Sequence, residues 1–196
     1  MEDRPTSSRG IVGILLAAGQ GSRFGSNKLC HPIADGTPVA VRSAVNLRDA
    51  LGDVLAVVRP DDALLRGHFD GAGIPCVLCP DAEQGMAATL ACGIRATSGA
   101  AGWIIALGDM PYIRQGTMAA VASAIANGAL LAAPFVDGQR GHPVGFAAPL
   151  KDELLALQGD EGARRVIGAY KEQLRRIDCD DPGILADIDV PADLRP

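Results

Sequence analysis

Apolar residues in this chain come in short runs bounded by turn formers, and longer stretches of mixed polarity separate them. Ile11–Ala17, Asp53–Val58, Pro75–Cys79, Trp103–Leu107 and Leu130–Pro134 are apolar along most of their length, which predicts buried strands. Between them, Pro38–Ala50, Asp61–Phe69, Met86–Ala96 and Gln115–Ala126 read as helices. The first of these has Thr37 as N-cap and proline at the first helical position. After Pro134 the pattern loosens into a strand at Gly141–Ala147, helices at Pro149–Leu157 and Ala163–Tyr170, and a strand at Gln173–Ile177.

This strand–helix alternation predicts an α/β fold, a mostly parallel sheet with helices on both faces. Ligands of such sheets bind beyond the carboxyl ends of the strands. The loops Ala18–Lys28, Pro80–Gly85 and Gly108–Tyr112 therefore share one rim. No repeat, low-complexity tract or linker divides the chain, so residues 10–196 read as a single domain. Residues 1–9 are polar with a proline and read as a disordered tail.

Composition narrows the partners. At 196 residues and 48% apolar content, the chain has material for one sizeable core. A net charge of −5 argues against nucleic acid or an anionic membrane as partner, and requires any polyanion site to be locally positive. No run has the length of a transmembrane helix, and the N-terminus does not read as a signal peptide. The five cysteines are odd in number and scattered, which points to reduced thiols in a cytoplasmic protein. Cys76 and Cys79 form a C-x-x-C, but residues three apart on a strand point to opposite faces, so they read as structural thiols.

Local positive charge is supplied where the first strand ends. Ile14-Leu-Leu-Ala-Ala-Gly-Gln-Gly-Ser-Arg-Phe-Gly-Ser-Asn-Lys28 runs from an apolar segment into a glycine-rich turn with Arg23 and Lys28. Glycines at 19 and 21 let backbone N–H groups turn toward an anion, and two cations on one loop suit a triphosphate. A dinucleotide fold is the rival. Its G-x-G-x-x-G fingerprint fails here by one residue, since the glycines stand at 19, 21 and 25. The second strand ends in Arg59 rather than an acid; Arg59 would suit the 2′-phosphate of NADP, so an NADP-binding reductase stays open as an alternative.

Asp109 follows the strand Trp103–Leu107 directly, where a carboxylate can hold Mg²⁺ against phosphate oxygens. Asp187 and Asp189 form a second carboxylate pair, open between a metal role and a loop cap. Gln84-Gly85-Met86 opens a helix whose free N–H groups suit a base or ribose. Gly141-His142-Pro143 reads as a shaped turn rather than a proton-transfer site, and His31 and His68 as incidental.

Taken together, the chain resembles the MobA-like nucleotidyltransferases, and among them the molybdenum cofactor cytidylyltransferases. The resemblance runs from Gly10 to Leu194 in six ordered blocks: Leu16-Ala-Ala-Gly-Gln-Gly-Ser-Arg-Phe-Gly25 with Lys28, Gln84-Gly-Met-Ala-Ala-Thr-Leu90, Leu107-Gly-Asp-Met-Pro111, Gly141-His-Pro-Val144, Gly159-Asp-Glu-Gly-Ala-Arg164 and Asp187-Ile-Asp-Val-Pro-Ala-Asp-Leu194. It implies a three-layer α/β/α sandwich of the nucleotide-diphospho-sugar transferase type, with a Rossmann-like sheet. It further implies transfer of CMP from CTP to the phosphate of a molybdopterin-type cofactor, dependent on Mg²⁺ or Mn²⁺. A molybdoenzyme would receive the product.

Residue by residue, the resemblance gives base and ribose to the backbone at Leu16, Ala17, Ala18 and Gly19 and to the turn at Gly85 and Met86. Gly21 belongs to the same nucleotide loop. Arg23 and Lys28 would bind the triphosphate, Asp109 would coordinate the metal with Asp189 as second ligand, and Gly141, His142 and Arg164 would face the acceptor. Leu16-Ala17-Ala18 in place of Leu-Ala-Gly-Gly points to the cytidine branch. Ala87 and Ala88 depart from the serines frequent in relatives, and Gly-Asp-Met-Pro departs from Asp-Gln-Pro. Within the same chemistry, a guanylyl- or cytidylyltransferase acting on another small phosphate, such as an isoprenoid precursor, is the alternative. A silent nucleotide sensor or a cofactor chaperone is disfavoured, because a binder without chemistry needs no metal carboxylate.

Overall fold

The computed structural model describes residues 10–19, 27–160 and 162–194. The tail at 1–9, and with it the expectation of disorder, lies outside the described residues. Eight strands form one sheet: β1 (Ile11–Leu16), β2 (Val54–Val58), β3 (Cys76–Leu78), β4 (Gly102–Leu107), β5 (Leu131–Val136), β6 (Gln139–Arg140), β7 (Val144–Ala147) and β8 (Leu174–Asp178). Among the described residues, six α-helices accompany them: α1 (Val39–Leu51), α2 (Ala63–Gly71), α3 (Met86–Ala96), α4 (Gln115–Ala126), α5 (Lys151–Leu155) and α6 (Arg164–Ala169).

β3, β2, β1 and β4 lie side by side and parallel. β7 then pairs antiparallel with β4 and with β5, while β8 pairs parallel with the far edge of β5. The sheet is therefore mixed at the point where the sequence pattern loosens. The expected strand at Gly141–Ala147 is shorter and antiparallel. It begins at Val144, because Gly141–Pro143 form a break, with a cis His142–Pro143 peptide, between β6 and β7. α1 begins one residue later than expected, with Pro38 in extended conformation as its N-cap. Thr37 instead turns its N–H to the Asp35 carboxylate at 2.9 Å.

Apolar strands are buried because both sheet faces carry helices. One face packs Leu15, Ala56, Val58 and Ile104 with residues of α1, α2 and α4. The other packs Ile14, Val57, Trp103 and Phe146 with residues of α3, α5 and α6. Cys76 belongs to the first cluster and Cys79 to the second, so the C-x-x-C sulfurs do straddle the sheet. Burial pushes the Cys76 thiol up and those of Cys30 and Cys92 up to about 11, which keeps all three protonated at neutral pH. Among the described residues, no helix is long and apolar enough to cross a membrane.

Candidate active site

Three loops meet at the carboxyl rim of the parallel strands. Leu16–Gly19 leaves β1, Gly85 opens α3, and Gly108–Pro111 follows β4. Between them lies a cavity of about 670 Å³, a size suited to a small-molecule ligand. Leu16, Ala18, Gly19, Lys28, Gly85, Met86 and Asp109 all line it. Ala17 does not. Its side chain is buried in the core, and its N–H is bonded to the Val57 carbonyl at 3.0 Å. Gly21 and Arg23 lie outside the described residues.

Lys28 begins a short turn anchored by the buried Leu29. Its Nζ donates to Asp109 Oδ2 at 2.8 Å and to Asp189 Oδ1 at 3.0 Å. Burial pulls the lysine pKa down, but the hydrogen bonds and charges of Asp109, and then of Asp189, outweigh it and leave it raised. The ammonium is thus charged at neutral pH.

Asp109 is held from below by α1. Ser43 Oγ donates to the Gly108 carbonyl at 3.0 Å, and Asn46 Nδ2 to the Pro111 carbonyl at 2.9 Å. The Asp109 carbonyl accepts the Ile188 N–H at 2.9 Å, and Ile188 is fully buried with Val39. Because Ile188 turns into the core, the residues flanking it turn out of it. One carboxylate oxygen from each of Asp109, Asp187 and Asp189 consequently lies within 4.8 Å of the other two. Both members of the C-terminal pair reach the rim. The loop-capping role falls to Asp193, which accepts the Asp189 and Val190 N–H groups, both at 2.8 Å.

Hard carboxylate oxygens are the donors Mg²⁺ and Mn²⁺ prefer. Among the described residues, three carboxylates face one lysine and leave negative charge in excess, so the donor set fits a divalent cation.

Gly141 and His142 sit against the C-terminal segment. The Gly141 N–H donates to the Pro134 carbonyl at 2.9 Å and the His142 N–H to the Ile184 carbonyl at 3.0 Å. A Cβ on Gly141 would collide with the Ile184 backbone and stand 2.6 Å from its Cγ1, so only glycine fits. Desolvation, aided by Arg140 and Arg164 against the opposing pull of Asp187, pushes the His142 pKa down to about 4. The imidazole is neutral at physiological pH and carries no charge for catalysis. Arg164, the first residue of α6, is exposed.

Sequence reasoning missed Asp160 and Glu83, and it considered Arg59 only for NADP. All three line the cavity. Arg59 is engaged by Asp61 at 3.0 Å and by Glu83 at 3.4 Å, carboxylates that a free 2′-phosphate site would not carry. Asp160 arrives because Gly159 and Asp160 lie on the start of α3, where the Ala87 N–H donates to the Gly159 carbonyl at 3.0 Å. Gly85 has φ 108°, and a Cβ there would fall on the Asp160 carboxylate and within 2.7 Å of the Gly159 carbonyl. The one available signal was the pair of glycines at 159 and 162, each with positive φ.

Comparison with known proteins gives the family and the fold. The sequence profile of the MobA-like NTP transferase domain matches residues 13–174. A molybdenum cofactor guanylyltransferase from Cupriavidus pinatubonensis is 31% identical over 196 residues, covering 94% of each chain. The purine catabolism protein PucB from Bacillus subtilis is 29% identical, covering 92% of each. In structure, a nucleotidyl transferase from Methanothermobacter thermautotroptrophicus matches with a TM-score of 0.80 at 21% identity, covering 95% of this chain and 94% of its own. Rv0371c from Mycobacterium tuberculosis, in complex with manganese, gives 0.73 at 20% identity, covering 96% and 94%. The fold is that of the nucleotide-diphospho-sugar transferases, and the chain belongs to the MobA-like NTP transferase family.

Proposed function

We propose that the protein transfers CMP from CTP to the phosphate of a molybdopterin-type cofactor, with release of pyrophosphate. The observation that carries this reading is Lys28 bridging Asp109 and Asp189 at the edge of a nucleotide-sized cavity. The acceptor phosphate oxygen attacks the α-phosphorus, the bond to the bridging oxygen breaks, and pyrophosphate leaves with that electron pair. A phosphate nucleophile is already ionised, so no general base is needed, and the neutral His142 fits that requirement. The protein's work is positioning and charge neutralisation. Lys28 stabilises the negative charge that builds on the transferring group, and Arg23 holds the triphosphate. Leu16–Gly19 and Gly85–Met86 seat the base and ribose. Asp109, Asp187 and Asp189 would hold Mg²⁺ or Mn²⁺, which when bound adds positive charge at the phosphoryl oxygens. The manganese complex of the structural relative supports the choice of ion class.

Leu16-Ala17-Ala18 favours CTP, whereas one relative is a guanylyltransferase. Pyrophosphate release with Mg²⁺ and molybdopterin, compared across CTP, GTP and ATP, decides the donor. Release with CTP alone is the expected result. Release with GTP alone reassigns the donor, and tight CTP binding without release from any donor moves the acceptor to another small phosphate.

A further inference from the structure

Arg140 is a half-buried cation with no carboxylate partner among the described residues. It stands opposite Phe135 in the β5–β6 pair, and residues directly opposite share a sheet face. Phe135 packs into the cluster formed with α3, α5 and α6, so Arg140 lies on that face. Phe146 pairs with both Trp103 and Leu131, which puts Phe135 level with Leu107, just below the Asp109 turn. Arg140 Nη1 is buried without a hydrogen-bond partner, and among the described residues no carboxylate pairs with this side chain. Burial disfavours its protonation, and the like charge of Arg164 adds to that.

An unpaired buried donor on a charged group is expensive, and the cost is removed when an anion arrives. Guanidinium forks match the oxygens of a phosphate better than any other side chain. The location suits an acceptor. Two residues on, His142 is bonded to the Ile184 backbone and senses the charge of Asp187, a member of the carboxylate cluster. Arg140 does not line the donor cavity, where Lys28 sits.

We propose that Arg140, assisted by Arg164, binds the phosphomonoester of the incoming acceptor on the Asp187 side of the carboxylate cluster. This rests on the nucleotidyl-transfer reading above but is tested separately. Inorganic phosphate is titrated by calorimetry into the full chain, with and without saturating CTP, for wild type, Arg140→Gln and Arg140→Lys. Phosphate affinity in the CTP-saturated protein is expected to fall about tenfold or more in Arg140→Gln and less in Arg140→Lys, with CTP affinity unchanged within about twofold. With the true acceptor, Arg140→Gln raises KM more than it lowers kcat. Melting in phosphate-free buffer supplies the control. An anion site predicts an unchanged or higher Tm for Arg140→Gln, because an unpaired charge is removed; a fall of more than about 5 °C would mark a structural role and overturn the proposal. Equal phosphate binding by wild type and Arg140→Gln would also overturn it. If phosphate binding depends on Arg140 while no donor yields pyrophosphate with molybdopterin, the molybdopterin assignment fails and the anion site stands.

Discussion

Asp181 and the pair Asp187–Asp189 are separated by a single short turn, yet they do opposite work. Asp181 is 1% exposed, and its carboxylate accepts the Arg114 N–H at 2.8 Å, the Thr117 hydroxyl at 2.7 Å and the Gly183 N–H at 3.0 Å. Placed at the start of α4, it satisfies free helix donors and pins the C-terminal segment to the fold. Asp187 and Asp189 converge instead with Asp109 at the rim, where, among the described residues, Lys28 is paired with Asp109 and Asp189. A carboxylate saturated by donors stabilises, and a cluster left short of positive charge binds. The difference lies in the donors around each group.

The sharpest break of that comparison is on the binding side. Asp109→Asn is expected to lower metal-dependent turnover on the order of a thousandfold with Tm nearly unchanged. Lys28→Ala should cost on the order of a hundredfold or more in kcat while weakening nucleotide binding much less, because the role proposed for Lys28 is to act on charge that develops during transfer. Steady-state kinetics beside direct nucleotide titration reads both, and full turnover by Lys28→Ala would remove it from the mechanism.

Asp181→Ala reverses the pattern. Leaving three donors short of their acceptor should cost about 3 kcal/mol, or a fall of about 10 °C in Tm, with kcat of the folded fraction preserved. A variant that melts like the wild type would show that the pin is dispensable.

An effect confined to acid pH comes from His142, which joins the two regions through Ile184. Its folded pKa of about 4 lies below the ordinary value of 6.5, so the unfolded chain binds more protons between those limits. Its contribution is therefore complete above pH 6.5 and is lost as pH falls toward 4, up to about 3 kcal/mol in all. Denaturant titrations across this window should show the slope in wild type and a shallower one in His142→Gln. Equal slopes would take His142 out of the acid response. Below that window the lowered carboxyls of Asp35, Asp61 and Asp193 take over, each losing its contribution as it is protonated.

Most of the first half of the chain was readable as a pattern. β1, β2, β4, α3 and α4 fall where runs and helical spacing placed them, because a parallel strand buried on both faces must be apolar throughout. Lys28, Asp109, Gly85 and Met86 could be placed on one rim for the same reason: residues at the carboxyl ends of parallel strands are neighbours by topology. The mixed end was less legible. β6 has two residues, one half-buried, and offers no period to detect, so Arg140 carried no sequence signal beyond its charge. Arg59 was noticed for its position after β2, but its partner Glu83 lies 24 residues away.

What the sequence determined alone is the class of chemistry and an order of motifs, among them a glycine loop with a lysine and an aspartate at a strand end. These depend on local turns and on strand ends, which are written in adjacent residues. Only the tertiary structure decided that Asp187 and Asp189 both reach Asp109, that Asp160 rests on Gly85, and that Arg140 is left unpaired. Those facts depend on which way a buried Ile188 turns and on which strand pairs with which, and such choices are made by packing between segments far apart in the chain.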